Sequence, residues 1–158
     1  MDVKKSIKKV LACATASAMA LCLTMPTAFA AGADGKNTEA WISKTYNTEV
    51  GKAETFSFIA TQKNGDGLVS TTANVTMPTI SFRQTETGTN TQRSKITFPE
   101  YTEAGKYEYT VKESASDPVI NAESKYEKLI MSKAEYTMDV YVINGDNGLE
   151  ISNIIGNK

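Results

Sequence analysis

Apolar and polar positions alternate with period two through most of the chain, the period of a strand whose two faces meet different surroundings. The alternation is clearest at 96–113, ITFPEYTEAGKYEYTVKE. Ile96 and Phe98 alternate with Lys95 and Thr97, Pro99 ends the run, and Gly105 reopens the chain after a polar turn. Tyr107, Tyr109 and Val111 then share one face, with Lys106, Glu108, Thr110 and Lys112 on the other. The next position on the apolar face is Glu113. A carboxylate at the end of a buried row costs free energy unless it is protonated or paired, whereas one just past a strand end is simply solvated. Alternation alone leaves both readings open.

The same period recurs at 39–46, EAWISKTY, where Ile42, Lys44 and Tyr46 share a face opposite Trp41, Ser43 and Thr45. Lys44 is thus flanked by apolar neighbours. It is either an edge lysine that extends its amine to water, or a buried amine made nucleophilic by desolvation. In TFSFIATQ, 55–62, Phe56, Phe58 and Ala60 share a face. Residues 68–82 are Thr-rich and contain Pro78, giving one or two short strands, and 83–92 reads as a polar loop. Residues 114–134 are polar, with Pro118, and contain SKYEKLIMSK, a short helical turn or an irregular crossover. A clear strand follows at 135–144, with Tyr136, Met138, Val140 and Val142 on one face. A tight Asn144-Gly145-Asp146-Asn147-Gly148 connection leads to a return strand at 149–155. That strand is read with Leu149, Ile151, Asn153 and Ile155 on one face. Seven or eight short strands, dense turn punctuation and no strong helix indicate an all-β sandwich.

The first 30 residues follow a different pattern. Lys4, Lys5, Lys8 and Lys9 precede an apolar, Ala-rich run at 10–23, and Ala28-Phe29-Ala30 is a small-x-small site. This is the anatomy of a secretory signal peptide, with an apolar run too short to span a bilayer. The expected organisation is a signal peptide at 1–30, a flexible leader at 31–38 and one domain at 39–158. Removing the first 30 residues leaves about 128 of the 158, a size that suits a single domain. Those 30 hold four of the 17 basic residues and one of the 18 acidic ones, leaving 13 against 17 and a net charge near −4. No basic patch suggests nucleic acid. Both cysteines, Cys13 and Cys22, fall in the first 30 residues, and the chain has no histidine. An exported domain without cysteine has no disulfide to stabilise it, and without His or Cys the usual metal sites and Ser-His or Cys-His nucleophile pairs are excluded. No cofactor is expected. Asn64-Gly65-Asp66-Gly67 lacks the ligand spacing of a calcium loop and is read as a turn.

KITFPEYTEAGKYEYTVKES resembles the signature of the pilin isopeptide linkage domain of Gram-positive backbone pilins (FctA-like). ETFSFIATQ is similar to that family's early FxF strand, and AEYTMDVYVINGDNGLEI to its late hairpin. The resemblance covers roughly 44–155 and implies an immunoglobulin-like β-sandwich of the pilin and collagen-adhesin B type. It implies that a lysine of the first strand attacks an asparagine amide on the last strand, assisted by a buried acid, with loss of ammonia. By position, the lysine role falls on Lys44 and the acid role on Glu113, with Glu113 as proton shuttle. The reaction is a single self-maturation, so the chain is not expected to be an enzyme.

The chain departs from the family pattern after 155. The family's acceptor strand lies one strand later, so the sandwich is expected to lack its last strand and its acceptor Asn, with Asn153 as fallback by period alone. Lys158 stands near the family's intersubunit linkage lysine. No LPxTG-like sorting motif follows. The implied setting is the cell surface or cell wall, or secretion where a sorting signal is lacking. The implied partners are other pilin subunits or surface proteins, joined through a sortase, with no nucleic acid and no membrane span in the mature chain. The competing reading is an exported carbohydrate- or host-binding module, for which Trp41, Tyr46, Tyr101 and Tyr126 are candidate exposed aromatics.

Overall fold

The computed structural model describes residues 14–17, 21–24, 37–49, 51–84, 87–114 and 127–158. The basic residues Lys4, Lys5, Lys8 and Lys9, together with Cys13, the Ala28-Phe29-Ala30 site, Pro118 and Tyr126, lie outside them. The described chain is all-β, with no helix. Its strands are β1 (Ala14–Ser17), β2 (Leu21–Thr24), β3 (Trp41–Thr48), β4 (Glu54–Phe56), β5 (Phe58–Lys63) and β6 (Ile80–Phe82). They continue with β7 (Gly88–Lys95), β8 (Gly105–Glu113), β9 (Glu127–Ile130), β10 (Glu135–Gly145) and β11 (Gly148–Asn157).

A four-stranded antiparallel sheet runs in the order β11-β10-β8-β5. It faces an antiparallel sheet of order β2-β3-β7, accompanied by the short ladder β4-β6. A parallel pair, β1-β9, completes the described pairings. The chain changes sheets at Ser57. Residues before it pair with β6 and residues after it with β8, and the Ser57 carbonyl accepts a bond from the Ser114 amide.

The core lies between the two main layers. β3 supplies Ile42 and Tyr46, β8 supplies Tyr107, Tyr109 and Val111, and β10 supplies Tyr136, Met138, Val140 and Val142. Phe56, Ile80 and Phe82 close one end, with Phe56 and Phe82 edge to face at 5.8 Å between ring centroids. Each set is the apolar face that alternation assigns to its strand.

Within residues 39–158 the structure departs from the sequence reading at four places. Residues 88–95 form strand β7, paired along the whole of β3, where a polar loop was expected. The segment GTNTQRSK presents no apolar face, yet its backbone completes the β3 ladder and its threonines suit a pleated surface. Residues 96–98 do not form a strand hairpinned to 107–113. Only Thr97 bridges, to Thr76, and β7 and β8 lie in different sheets. Residues 127–130, expected as a helical turn or irregular crossover, form β9. Finally, a bulge between Tyr141 and Val142 shifts the register of β11. Ile151 faces Val142 and Ile154 faces Val140, so both join the core side, while Asn153 and Ile155 oppose the outward Tyr141 and Asp139. The single face read for Leu149, Ile151, Asn153 and Ile155 is therefore split.

Candidate functional site: a buried lysine and glutamate between the sheets

β3 turns Ile42, Lys44, Tyr46 and Thr48 inward, and all four are buried. β8 turns Tyr107, Tyr109, Val111 and Glu113 inward from the facing sheet. The strands therefore bring one amine and one carboxylate to the same depth of the interior. Lys44 is 0% exposed and Glu113 3% exposed. Lys44 Nζ donates to Glu113 Oε1 at 2.9 Å and to Oε2 at 2.8 Å.

Two neighbours complete the setting. The Phe56 ring centroid lies 4.2 Å from Nζ, placing the amine over an aromatic face. The Ser132 backbone N–H donates to Glu113 Oε2 at 2.8 Å. Burial pushes the Lys44 amine below the ordinary lysine range, against the opposing pull of the hydrogen bond and charge of Glu113. The pair is dry, mutually satisfied and one proton transfer away from a neutral amine beside a carboxylic acid.

The other residues singled out in the sequence lie elsewhere. Asn153 sits on β11 on the outer side of its sheet, and β10 separates that strand from β8. Its Oδ1 accepts from the Ile154 amide, and its backbone bridges Asn37. Lys158 follows the end of β11 and is exposed. Tyr46 and Tyr101 are buried, Tyr101 against Tyr107 at 4.4 Å between centroids. Trp41 is half-buried, with the Arg93 guanidinium 5.1 Å from its ring. The proposed sugar-binding aromatics thus do not form an exposed platform among the described residues.

The sequence reading did not single out Phe56 and Ser132 as parts of the site. Alternation places Phe56 on an apolar face, but its position over Nζ is a tertiary fact. Ser132 acts through its backbone, which leaves no signature in the sequence. A second charged group lies on the outer face. There Lys106 reaches Asp139 at 3.0 Å and Glu108 at 3.2 Å, and both hold its amine above the ordinary lysine range, Asp139 foremost. No group of three or more His, Cys, Asp or Glu residues suited to a metal occurs among the described residues. No helix long and apolar enough to cross a membrane occurs among the described residues.

The described residues thus form an all-β sandwich with an amine and a carboxylate paired in its buried core. The family model FctA, the Spy0128-like isopeptide containing domain, matches residues 40–156, and the chain belongs to this family of pilin domains. Neither the curated proteins nor the solved structures contain a match.

Proposed function

We propose that this is the structural domain of an exported pilin-like surface protein, in which Lys44 forms an isopeptide bond with an asparagine side chain presented by a strand beside β3. The observation that carries the reading is the buried Lys44–Glu113 pair, with both contacts under 3 Å. Transfer of a proton from the Lys44 ammonium to the Glu113 carboxylate gives a neutral amine and a neutral acid. The amine attacks the amide carbon while the acid hydrogen-bonds the carbonyl oxygen. The new C–N bond forms, the old one breaks, and the amide nitrogen leaves as ammonia after taking up one proton, which the attacking nitrogen gives up through Glu113. The interior excludes water, so the competing hydrolysis of the amide is suppressed.

The bond would act as a covalent clamp in a domain that has no cysteine after residue 30. In this reading the chain is not a turnover enzyme and needs no cofactor. It associates with other pilin subunits or surface proteins through a sortase, with Lys158 a candidate linkage residue. Its place is the cell surface or cell wall, after cleavage of residues 1–30. The test is the intact mass of the chain extended past Lys158 by one strand-length segment that carries an asparagine. The expected result is a deficit of one ammonia and a Lys44–Asn crosslinked peptide after digestion, both abolished by Glu113→Ala. A full mass with Lys44 unmodified would overturn the reading.

A further inference from the structure

The edge of β3 that faces away from β7 is occupied by the chain's own beginning. β2 runs antiparallel to β3, with Leu21 opposite Lys44, Cys22 opposite Ser43, Leu23 opposite Ile42 and Thr24 opposite Trp41. β7 takes the other edge from Trp41 to Thr48. Without β2, residues 41–44 would present unpaired backbone N–H and C=O groups, the template for adding another strand. The segment that fills the edge reads Leu-Cys-Leu-Thr, uncharged and without proline. The apolar quality that suits a signal peptide also suits a strand on a sheet edge. β1, from the same region, lies against β3 as well.

We propose that in the uncleaved chain residues 21–24 cap the β3 edge beside Lys44, and that cleavage after Ala30 opens this edge to an incoming strand. The proposal rests on reading residues 1–30 as a removable leader. It deepens the functional reading by placing a gate on maturation. A strand carrying the acceptor amide cannot lie next to residues 41–44 while β2 does. Bond formation then waits for export, and a precursor retained inside the cell is kept from adding strands of its neighbours. The cap is weak enough to leave, because it pairs only four residues, whereas β7 pairs eight.

The register supplies the test. In the full chain carrying Cys13→Ala and Ser43→Cys, the two cysteines are at register partners, position 22 opposite position 43, and directly opposed strand positions are near enough for a disulfide with small backbone adjustment. Mild oxidation is expected to give an intramolecular disulfide, located by peptide mass mapping. Thr45→Cys in place of Ser43→Cys lies beyond the paired residues and is expected to give markedly less. A second arm compares the parent full chain with Leu23→Pro, which removes a backbone donor from β2. The probe is a synthetic peptide, Ala-Leu-Ser-Leu-Thr-Met, copying residues 20–25 with serine for the cysteine. A tethered segment competes at an effective concentration of about millimolar, so the variant should bind the probe at least about tenfold more tightly. Absence of the Ser43→Cys crosslink overturns the proposal, as does equal probe uptake by the two chains, including none in either. Both arms read strand pairing and not bond chemistry. An ammonia deficit in the extended chain combined with a failed crosslink would therefore refute the gate and leave the pilin reading standing.

Discussion

A double-mutant cycle on Lys44 and Glu113 tests the central physical claim, that the two side chains hold each other in the core. Glu113→Ala removes the acceptor of both Nζ bonds, 2.8 and 2.9 Å, and of the Ser132 amide, 2.8 Å. The lysine left behind is fully buried, with the Phe56 face near its amine. Breaking such a pair costs about 3–5 kcal/mol, because one charge stays in the interior uncompensated. For a domain of this size that lowers Tm by on the order of 10–20 °C. Lys44→Met leaves the carboxylate with the Ser132 amide as its remaining partner and should cost about 3 kcal/mol by the same reasoning. The double variant Lys44→Met/Glu113→Leu replaces the pair with apolar groups of similar volume and should lie within about 2 kcal/mol of the parent in either direction. The losses therefore do not add, and the double variant recovers about 4 kcal/mol or more of their sum. Urea unfolding followed by circular dichroism, extrapolated to water, measures all four chains. A Glu113→Ala loss under about 1 kcal/mol, or singles that add to the double within about 0.5 kcal/mol, would refute the reasoning.

Three further outcomes follow from the same structure. The Lys44 amine is held below its ordinary 10.5 mainly by burial, so the unfolded chain binds the extra proton. Stability should rise with pH from the lowered value toward 10.5, in chains where Lys44 is unreacted, and Lys44→Met should flatten that rise. Burial raises the Tyr101, Tyr107 and Tyr109 hydroxyls above 10.0, so ionisation favours the unfolded chain and stability should fall again above that pH; equilibrium urea titrations across the alkaline range check both limbs. Gly105 has φ +151°, and an added Cβ would lie 2.2 Å from Val69 Cγ2, so Gly105→Ala should cost about 1–3 kcal/mol or more, read by thermal melting. Lys63→Met breaks an ion pair at 2.9 Å on the outer face, where the lysine side chain is 44% exposed, and should change stability by less than about 1 kcal/mol in the same assay.

The site was more legible in the sequence than the arrangement of strands around it. Lys44 stands out because it interrupts an apolar row of period two and Glu113 because it ends one, and a charged residue buried there needs a partner. Alternation cannot say which partner, and the resemblance of the flanking motifs supplied that. Strand β7 was missed because GTNTQRSK has no apolar face: it is held by backbone pairing to β3, to which side-chain periodicity is blind. The inward face of β11 was misassigned because one bulge, opposite Tyr141 and Val142, inverts the phase of every residue beyond it. That single inserted residue turns Asn153 outward.

The energetics explain why such a pair is informative about function. Two charges in a dry core, even well paired, contribute little stability beyond what a Met and a Leu of similar volume would provide. What the apolar substitutes lack is reactivity. They cannot exchange a proton across 2.8 Å, and they leave no nucleophile on the inward face of β3. Reaction further requires an amide carbon within about 3–3.5 Å of Nζ. β7 holds one flank of β3 along its whole length, so a strand bringing that amide would have to come along the other flank, where β2 lies against residues 41–44. On the proposed reading, the occupant of that flank would decide whether Lys44 stays in its ion pair or goes on to the covalent bond. On that reading the chemistry of the core and the pairing of the β3 edge are one coupled problem. Under the proposed gate the edge would set the timing, and the buried pair would set the outcome.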